Sequence, residues 1–200
     1  MIRNIVFDMG EVLYHFYPEE ALSALPPEDR RILEGAIFRH PDWIRQDRGD
    51  VTEAELMELV RARVPERLWE TADQFVRWYE LTSPVDGVEE VVRELHEAGY
   101  PLYLLSNAGE AFHRFRVRIP ALRYFRGEFV SADYHLLKPH AEIYEKFTEV
   151  YGLAPAQCLF IDDYPPNIEG AKNCGWDGIV FRGDAAELRR ELTERGILSH

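Results

Sequence analysis

Five short apolar runs, at residues 3–7, 101–105, 128–131, 158–161 and 178–181, are bounded by polar or glycine-rich turns and separated over most of the chain by helical periodicity. Largely apolar runs of this length fit strands buried on both faces, as in a parallel sheet covered by helices. The helices are there to cover it. Val88, Val91, Val92 and Leu95 recur at spacings of three and four before Gly99, Ile143, Phe147 and Val150 do so before Gly152, and a third stretch closes at Gly175. Glycine just past the last periodic residue is a common helix stop, because it enters the left-handed region at little cost. Strands alternating with helices predict an α/β fold with a Rossmann-like, doubly wound parallel sheet.

Residues 14–83 break this rhythm, with helical periodicity and no convincing strand. Thr52 and Glu55 make a capping box for the helix through LMELVRARV, and Pro65 ends it. The predicted organisation is therefore a core domain from residues 1–13 and 84–200 with residues 14–83 as an all-helical insert. Nine arginines against fifteen acidic residues in the insert leave it no face that attracts phosphate. Its Trp43, Trp69, Phe75 and Trp78 fit the core of a small helical module first and the lining of a pocket second.

At 200 residues the chain is long enough for one core domain and a small module beside it. A formal charge of −13, from 23 basic and 36 acidic residues, argues against nucleic acid or an anionic membrane as partner. The two cysteines, Cys158 and Cys174, lie in apolar or helical contexts without metal-ligand spacing, which fits core positions in a reduced protein. The chain opens directly on the strand-like IRNIVF, without cationic leader or long apolar segment. A cytoplasmic protein, monomeric or homodimeric, with a small-molecule partner is the expectation.

Polar motifs stand where the predicted strands end: Asp8 in IVFDMGEVL, Ser106 and Asn107 in LYLLSNAG, Lys138 in LLKPHAEIY, and Asp162 with Asp163 in CLFIDDYPPN. In a parallel sheet the carboxyl ends of the strands share one edge, and ligands bind in the crevice there. A carboxylate such as Asp8 can act there as a nucleophile, or it can cap a helix. Ser106 and Asn107 can cradle phosphate oxygens with the free N–H groups of a helix start, or simply cap that helix. Lys138 is one of only three lysines among the 23 basic residues and brings a compact point charge where arginine would bring a planar fork. Its alternative is an exposed loop position before proline. Adjacent carboxylates ending a buried strand repel each other unless a cation is near, so Asp162 and Asp163 favour a metal site over a capping Asp beside a solvated one.

Taken in order over nearly the whole chain, FDMGEVL, LLSNA, LKPHAEIY and FIDDYPPNIEGA resemble the haloacid dehalogenase-like hydrolase superfamily. The helical insert directly after the first motif is similar to the small cap of its phosphatase-type members. The resemblance implies a catalytic Asp8, phosphate contacts from Ser106, Asn107 and a catalytic Lys138, and Mg²⁺ held by Asp8, the Gly10 carbonyl and Asp163. Asp162 would be a further ligand or a residue supporting the ligands, and Asn167 a supporting residue. The same resemblance implies a Mg²⁺-dependent phosphatase of a small phosphorylated metabolite, working through an aspartyl-phosphate.

One position departs from the family pattern. Most phosphatases of the superfamily carry a second Asp two residues after the nucleophile, and here that residue is Gly10. General acid–base help, worth about 10² to 10⁴ in rate, must come from elsewhere or be dispensed with. The pattern FD-x-G-x-V resembles a branch of sugar-phosphate phosphatases related to glucose-1-phosphate phosphatase, whose leaving groups need less protonation. His15 and His135 are the candidate replacements, and the cluster of His113, Arg114, Arg116 and Arg118 a candidate steering surface or a solvated helix face. Two alternatives stay open: a 2-haloacid dehalogenase-type hydrolase needing no metal, and a binding or regulatory protein of the same fold that has lost turnover.

Overall fold

The structure, a computed structural model, describes residues 1–16, 18–77, 79 and 82–199, with the side chains of Glu19 and Glu20 outside that description. Its strands are β1 Asn4–Phe7, β2 Tyr14–Phe16, β3 Thr82–Pro84, β4 Leu102–Ser106, β5 Phe125–Val130, β6 Cys158–Asp162 and β7 Asp177–Val180. Five of them form one sheet in the order β5-β4-β1-β6-β7, and every pairing in it is parallel. Its strands coincide with the five apolar runs to within three residues at each end.

Helices α1 Pro18–Ser23, α2 Pro27–Ala36, α3 Pro41–Asp47, α4 Glu53–Arg61 and α5 Trp69–Val76 lie in the insert. The core adds α6 Val88–Glu97, α7 Phe112–Phe115, α8 Ser131–Tyr134, α9 Ala141–Tyr151, α10 Pro165–Asn173 and α11 Ala185–Glu194. Alternation along β1 and β6 divides the core in two. Ile5, Phe7, Leu159 and Ile161 face α6 and α11 through Val92, Leu95, Leu188 and Leu192. Val6 and Phe160 face α9 and α10 through Tyr144, Phe147, Ile168 and Ala171. Each such side chain contributes about 1.5 to 3 kcal/mol when fully buried, which is why the sheet can carry charged groups at one edge. Val150, read from its spacing as part of the α9 stripe, is 42% exposed, because it falls on the last turn beyond the sheet.

The insert packs around its own core of Leu33, Leu56, Val60, Ala72 and Phe75. The Thr52–Glu55 capping box is present in full, and α4 stops at Arg61, four residues before Pro65. The expectation of helices alone is corrected at the two ends of the segment. There β2 and β3 pair antiparallel, His15 opposite Ser83, and tie the insert's ends together. Three residues per strand, one of them Pro84, are too few to show alternation in the sequence. Trp78 lies outside the described residues.

Candidate active site

Strand order reverses on either side of β1, so the crevice of the sheet opens at the carboxyl end of that strand. Asp8 is the first residue beyond β1, and its N–H donates to the Ile161 carbonyl at 2.8 Å, extending the ladder by one residue. Ser106 ends β4, Asp162 ends β6 and Asp163 comes directly after it. Lys138, on the loop between α8 and α9, is 5% exposed and sits between two of them. Its Nζ is 2.8 Å from Asp8 Oδ1 and 2.7 Å from Asp162 Oδ2, with the Phe160 ring centroid 5.2 Å away.

Both oxygens of Asp162 are fully engaged. Oδ1 accepts from the Tyr164 N–H at 2.8 Å and from Asn167 Nδ2 at 3.0 Å, while Oδ2 accepts from Lys138 and from Asn167 Nδ2 at 2.9 Å. Asn167 is held in turn by Tyr144, whose hydroxyl donates to its carbonyl at 2.7 Å. Asn107 fixes the Lys138 backbone from both sides: its Oδ1 accepts the Lys138 N–H at 2.9 Å and its Nδ2 donates to the Lys138 carbonyl at 3.1 Å. One Asn107 N–H is left for a ligand, so this residue is first a clamp on the lysine loop. The buried Ser106 hydroxyl has no partner among the described residues and lines the cavity.

Asp8, Asp162 and Asp163 offer oxygens within 4.8 Å of one another, the one such acidic or metal-ligating cluster among the described residues. Burial pushes the Asp8 carboxyl up to about 7, with Lys138 opposing and Asp162 adding to the rise. Burial, then the charge of Asp162, pushes Asp163 up to about 6. Burial works against the Lys138 charge, but Asp162 and Asp8 outweigh it and hold the ammonium above its ordinary value. One cation among three carboxylates leaves negative charge uncompensated. With the Asp162 oxygens taken, Asp8 and Asp163 remain to receive a hard divalent ion, and an all-oxygen donor set suits one.

The cavity above these groups encloses about 220 Å³ between core and insert. The core contributes Asp8, Ser106, Lys138 and Asp163, and α3 of the insert contributes Trp43 and Asp47. The Trp43 ring lies parallel to that of Phe16, centroids 6.3 Å apart, and both border the opening. Trp43 is therefore a lining residue as well as a packing one, whereas Phe75 is buried in the insert's core and Trp69 is 40% exposed. A larger groove of about 620 Å³, beside Tyr100, Trp176 and Arg195 at the opposite end of the sheet, has no such charge cluster.

Gly10 is not in the left-handed region, a Cβ built on it would meet nothing within 4 Å, and the residue beside it at positive φ is Glu11, at 52°. Several expectations are corrected by this geometry. Neither Ser106 nor Asn107 caps a helix, since α7 begins at Phe112 with Ala111 before it, and the residues after β4 form an open loop. His15 is 2.9 Å from the Glu11 carboxylate and His135 is 3.1 Å from the Arg48 carbonyl, and neither borders the cavity. Three of the four residues of the basic cluster are spent on ion pairs, His113 with Asp133, Arg114 with Glu53 and Arg116 with Glu128, and Arg118 donates to the Tyr79 carbonyl at 3.5 Å. Asp47 has no motif around it, and its place in the site comes from the docking of α3.

A strand-end carboxylate, a buried lysine and a carboxylate cluster thus meet beneath the helical insert, at the carboxyl edge of an α/β fold. A family model of haloacid dehalogenase-like hydrolases matches residues 2–175, and the chain belongs to that family. It is 27% identical over 115 residues to flavin mononucleotide hydrolase 1 of Arabidopsis thaliana, covering 58% of this chain and 46% of that protein, so it spans under half the length of that relative. Over 181 residues it is 27% identical to enolase-phosphatase E1 of Aquifex aeolicus, covering 80% of this chain and 72% of the other. In fold it resembles a family enzyme of Bacteroides thetaiotaomicron solved with magnesium and inorganic phosphate, at TM-score 0.76 and 23% identity over 94% and 99% of the two chains. It also resembles the L-2-haloacid dehalogenase of Xanthobacter autotrophicus, at TM-score 0.67 and 22% identity over 98% and 84%. No helix among the described residues is long and apolar enough to cross a membrane.

Proposed function

We infer that the chain is a Mg²⁺-dependent phosphatase of a small phosphorylated metabolite, with sugar phosphates the leading class. The observation that carries this reading is the buried Asp8–Lys138–Asp162 chain with Asp163 beside it, which holds a carboxylate ready for attack in a negatively charged site. Asp8 attacks phosphorus through the oxygen not held by Lys138, and the bond to the leaving oxygen breaks. Water then displaces the aspartate from phosphorus and frees inorganic phosphate. Ser106 and the spare Asn107 N–H bind phosphate oxygens, and Lys138 neutralises charge on them as it keeps Asp8 oriented. Asp8, Asp163 and the Gly10 carbonyl would hold a Mg²⁺ ion, which would supply positive charge toward an anionic substrate. A cavity of about 220 Å³ falls below the usual range of about 300 to 1,000 Å³ for drug-sized ligands, which supports a small substrate.

Phosphate release should be measured over sugar phosphates, nucleotides and acyl phosphates, with Mg²⁺ and after chelation. Release that requires Mg²⁺ supports the reading. No release from any of them, or full release after chelation, overturns it, and halide release from 2-haloacids without metal would replace it with the dehalogenase alternative.

A further inference from the structure

The cap helix α3 delivers a carboxylate that none of the motifs contains. Asp47 is the last residue of α3, it borders the same cavity as Asp8, Ser106 and Lys138, and no described side chain pairs with its carboxylate. Its backbone, by contrast, is pinned. The Ser131 hydroxyl, which also accepts the Ala108 N–H at 2.9 Å, donates to the Asp47 carbonyl. Two residues on, Gly49 (φ 79°) lies so close to the core that a Cβ there would stand 2.4 Å from the Ala132 carbonyl oxygen. The other end of α3 is held by the buried Asp42, which takes Arg45, Arg63 and His40 as partners. A carboxylate left free on a helix fixed at both ends is positioned for a ligand rather than for the fold.

Gly10 borders the same cavity, and a Cβ built on it would meet nothing within 4 Å. We propose that Asp47, carried on the cap, is the general acid and base of this enzyme and takes the part that a carboxylate at position 10 would have played. The proposal rests on the phosphatase reading above. In the first step Asp8 forms its bond to phosphorus, the phosphorus–oxygen bond to the leaving group breaks, and the Asp47 carboxyl gives its proton to the departing oxygen. In the second, Asp47 takes a proton from the water that attacks phosphorus, the Asp8–phosphorus bond breaks, and the cycle returns Asp8 as carboxylate and Asp47 as acid. Burial pushes the Asp47 carboxyl up to about 8, with Lys138 opposing and Asp8 adding to the rise, so the proton is present near neutral pH. A consequence is that a basic leaving group, such as a primary alkoxide, is within the enzyme's range although Gly10 carries no acid.

The test compares wild type, Asp47→Asn, Asp47→Ser and the double variant Gly10→Asp/Asp47→Asn on phosphate esters graded by leaving-group pKa, with Mg²⁺ present. A second readout is the covalently phosphorylated fraction of acid-quenched protein, by intact mass, and melting curves report folding. The expected wild-type dependence on leaving-group pKa is shallow. Asp47→Asn should lose about 10² to 10⁴ in rate on alkyl phosphates and less on aryl phosphates, and should accumulate phosphoenzyme because the second step lacks its base. Gly10→Asp in the double variant should recover part of the loss, since a side chain fits there. Active wild type with folded Asp47 variants that keep its slope and trap no phosphoenzyme overturns the assignment of Asp47 alone. Wild type that hydrolyses no ester and carries no covalent phosphate overturns the phosphatase reading, and this assignment with it.

Discussion

The two carboxylates that border one cavity, Asp8 in the core and Asp47 on α3 of the insert, are held in opposite ways. Asp8 sits in a network in which Lys138 pairs with both Asp8 and Asp162, Asn167 holds Asp162 and Asn107 holds the Lys138 backbone, so one of its oxygens is fixed in place. Asp47 has its backbone fixed by Ser131 and its side chain bonded to nothing described. Rigid chemistry has thus been built at the strand ends, where three β-strands converge on one edge. The group on the cap is left free to exchange a proton, and its position depends on how α3 docks.

The largest expected effect lies on the core side. Asp8→Asn should keep the fold, since the amide is isosteric, and lower turnover by at least about 10³-fold, because covalent catalysis through Asp8 has no substitute route. Turnover like wild type in that variant would break the contrast at its strongest point. Next comes the cost of opening the network. Lys138→Met leaves Asp8 and Asp162 as neighbouring buried carboxylates without their cation, and removing one partner of a buried pair costs about 3 to 5 kcal/mol. Denaturant unfolding should show a loss of that order for Lys138→Met and little loss for Asp47→Asn.

A third prediction concerns Asp163, which lines the cavity and is not needed by the Lys138 network. Calorimetry should find Mg²⁺ binding strongly weakened in Asp163→Ala while melting in the absence of metal changes little. Equal Mg²⁺ affinity in both proteins would move the metal assignment elsewhere. A fourth prediction is a pH dependence. The fold holds Asp47 above its ordinary value of 3.8, at about 8, so the native state binds more protons than the unfolded chain between those values and stability falls as pH rises through that window. Asp47→Asn cannot ionise, and its stability relative to wild type should rise from about pH 5 to about pH 9. A constant difference across that range would mean that the Asp47 carboxylate is solvated, and the contrast with Asp8 would weaken.

The same contrast marks what can be read from the sequence. Asp8, Ser106, Asp162 and Asp163 stand at or directly after the end of a buried apolar strand, Lys138 follows β5 by way of α8, and parallel strands bring their ends together whatever the chain between them does. Those five positions are legible because a local pattern fixes each one. Asp162 reads there as a possible ligand, and only the bonds to Tyr164, Asn167 and Lys138 reveal that its oxygens are already used. Asp47 gives no such signal, since its place depends on the packing of Gly49 on Ala132 and of Ser131 on the end of α3, contacts across more than 80 residues of sequence. The β2–β3 ribbon is hidden for a different reason. Strands of three residues that pair only with each other carry no buried alternation.

The most direct measurement is peptide mapping of wild-type enzyme quenched with acid during turnover of a phosphate ester, with the Asp47→Asn variant beside it. The expected result is a covalent phosphate on the peptide containing Asp8, scarce in wild type and abundant in the variant. The contradicting result is turnover with no covalent phosphate on Asp8 in either protein.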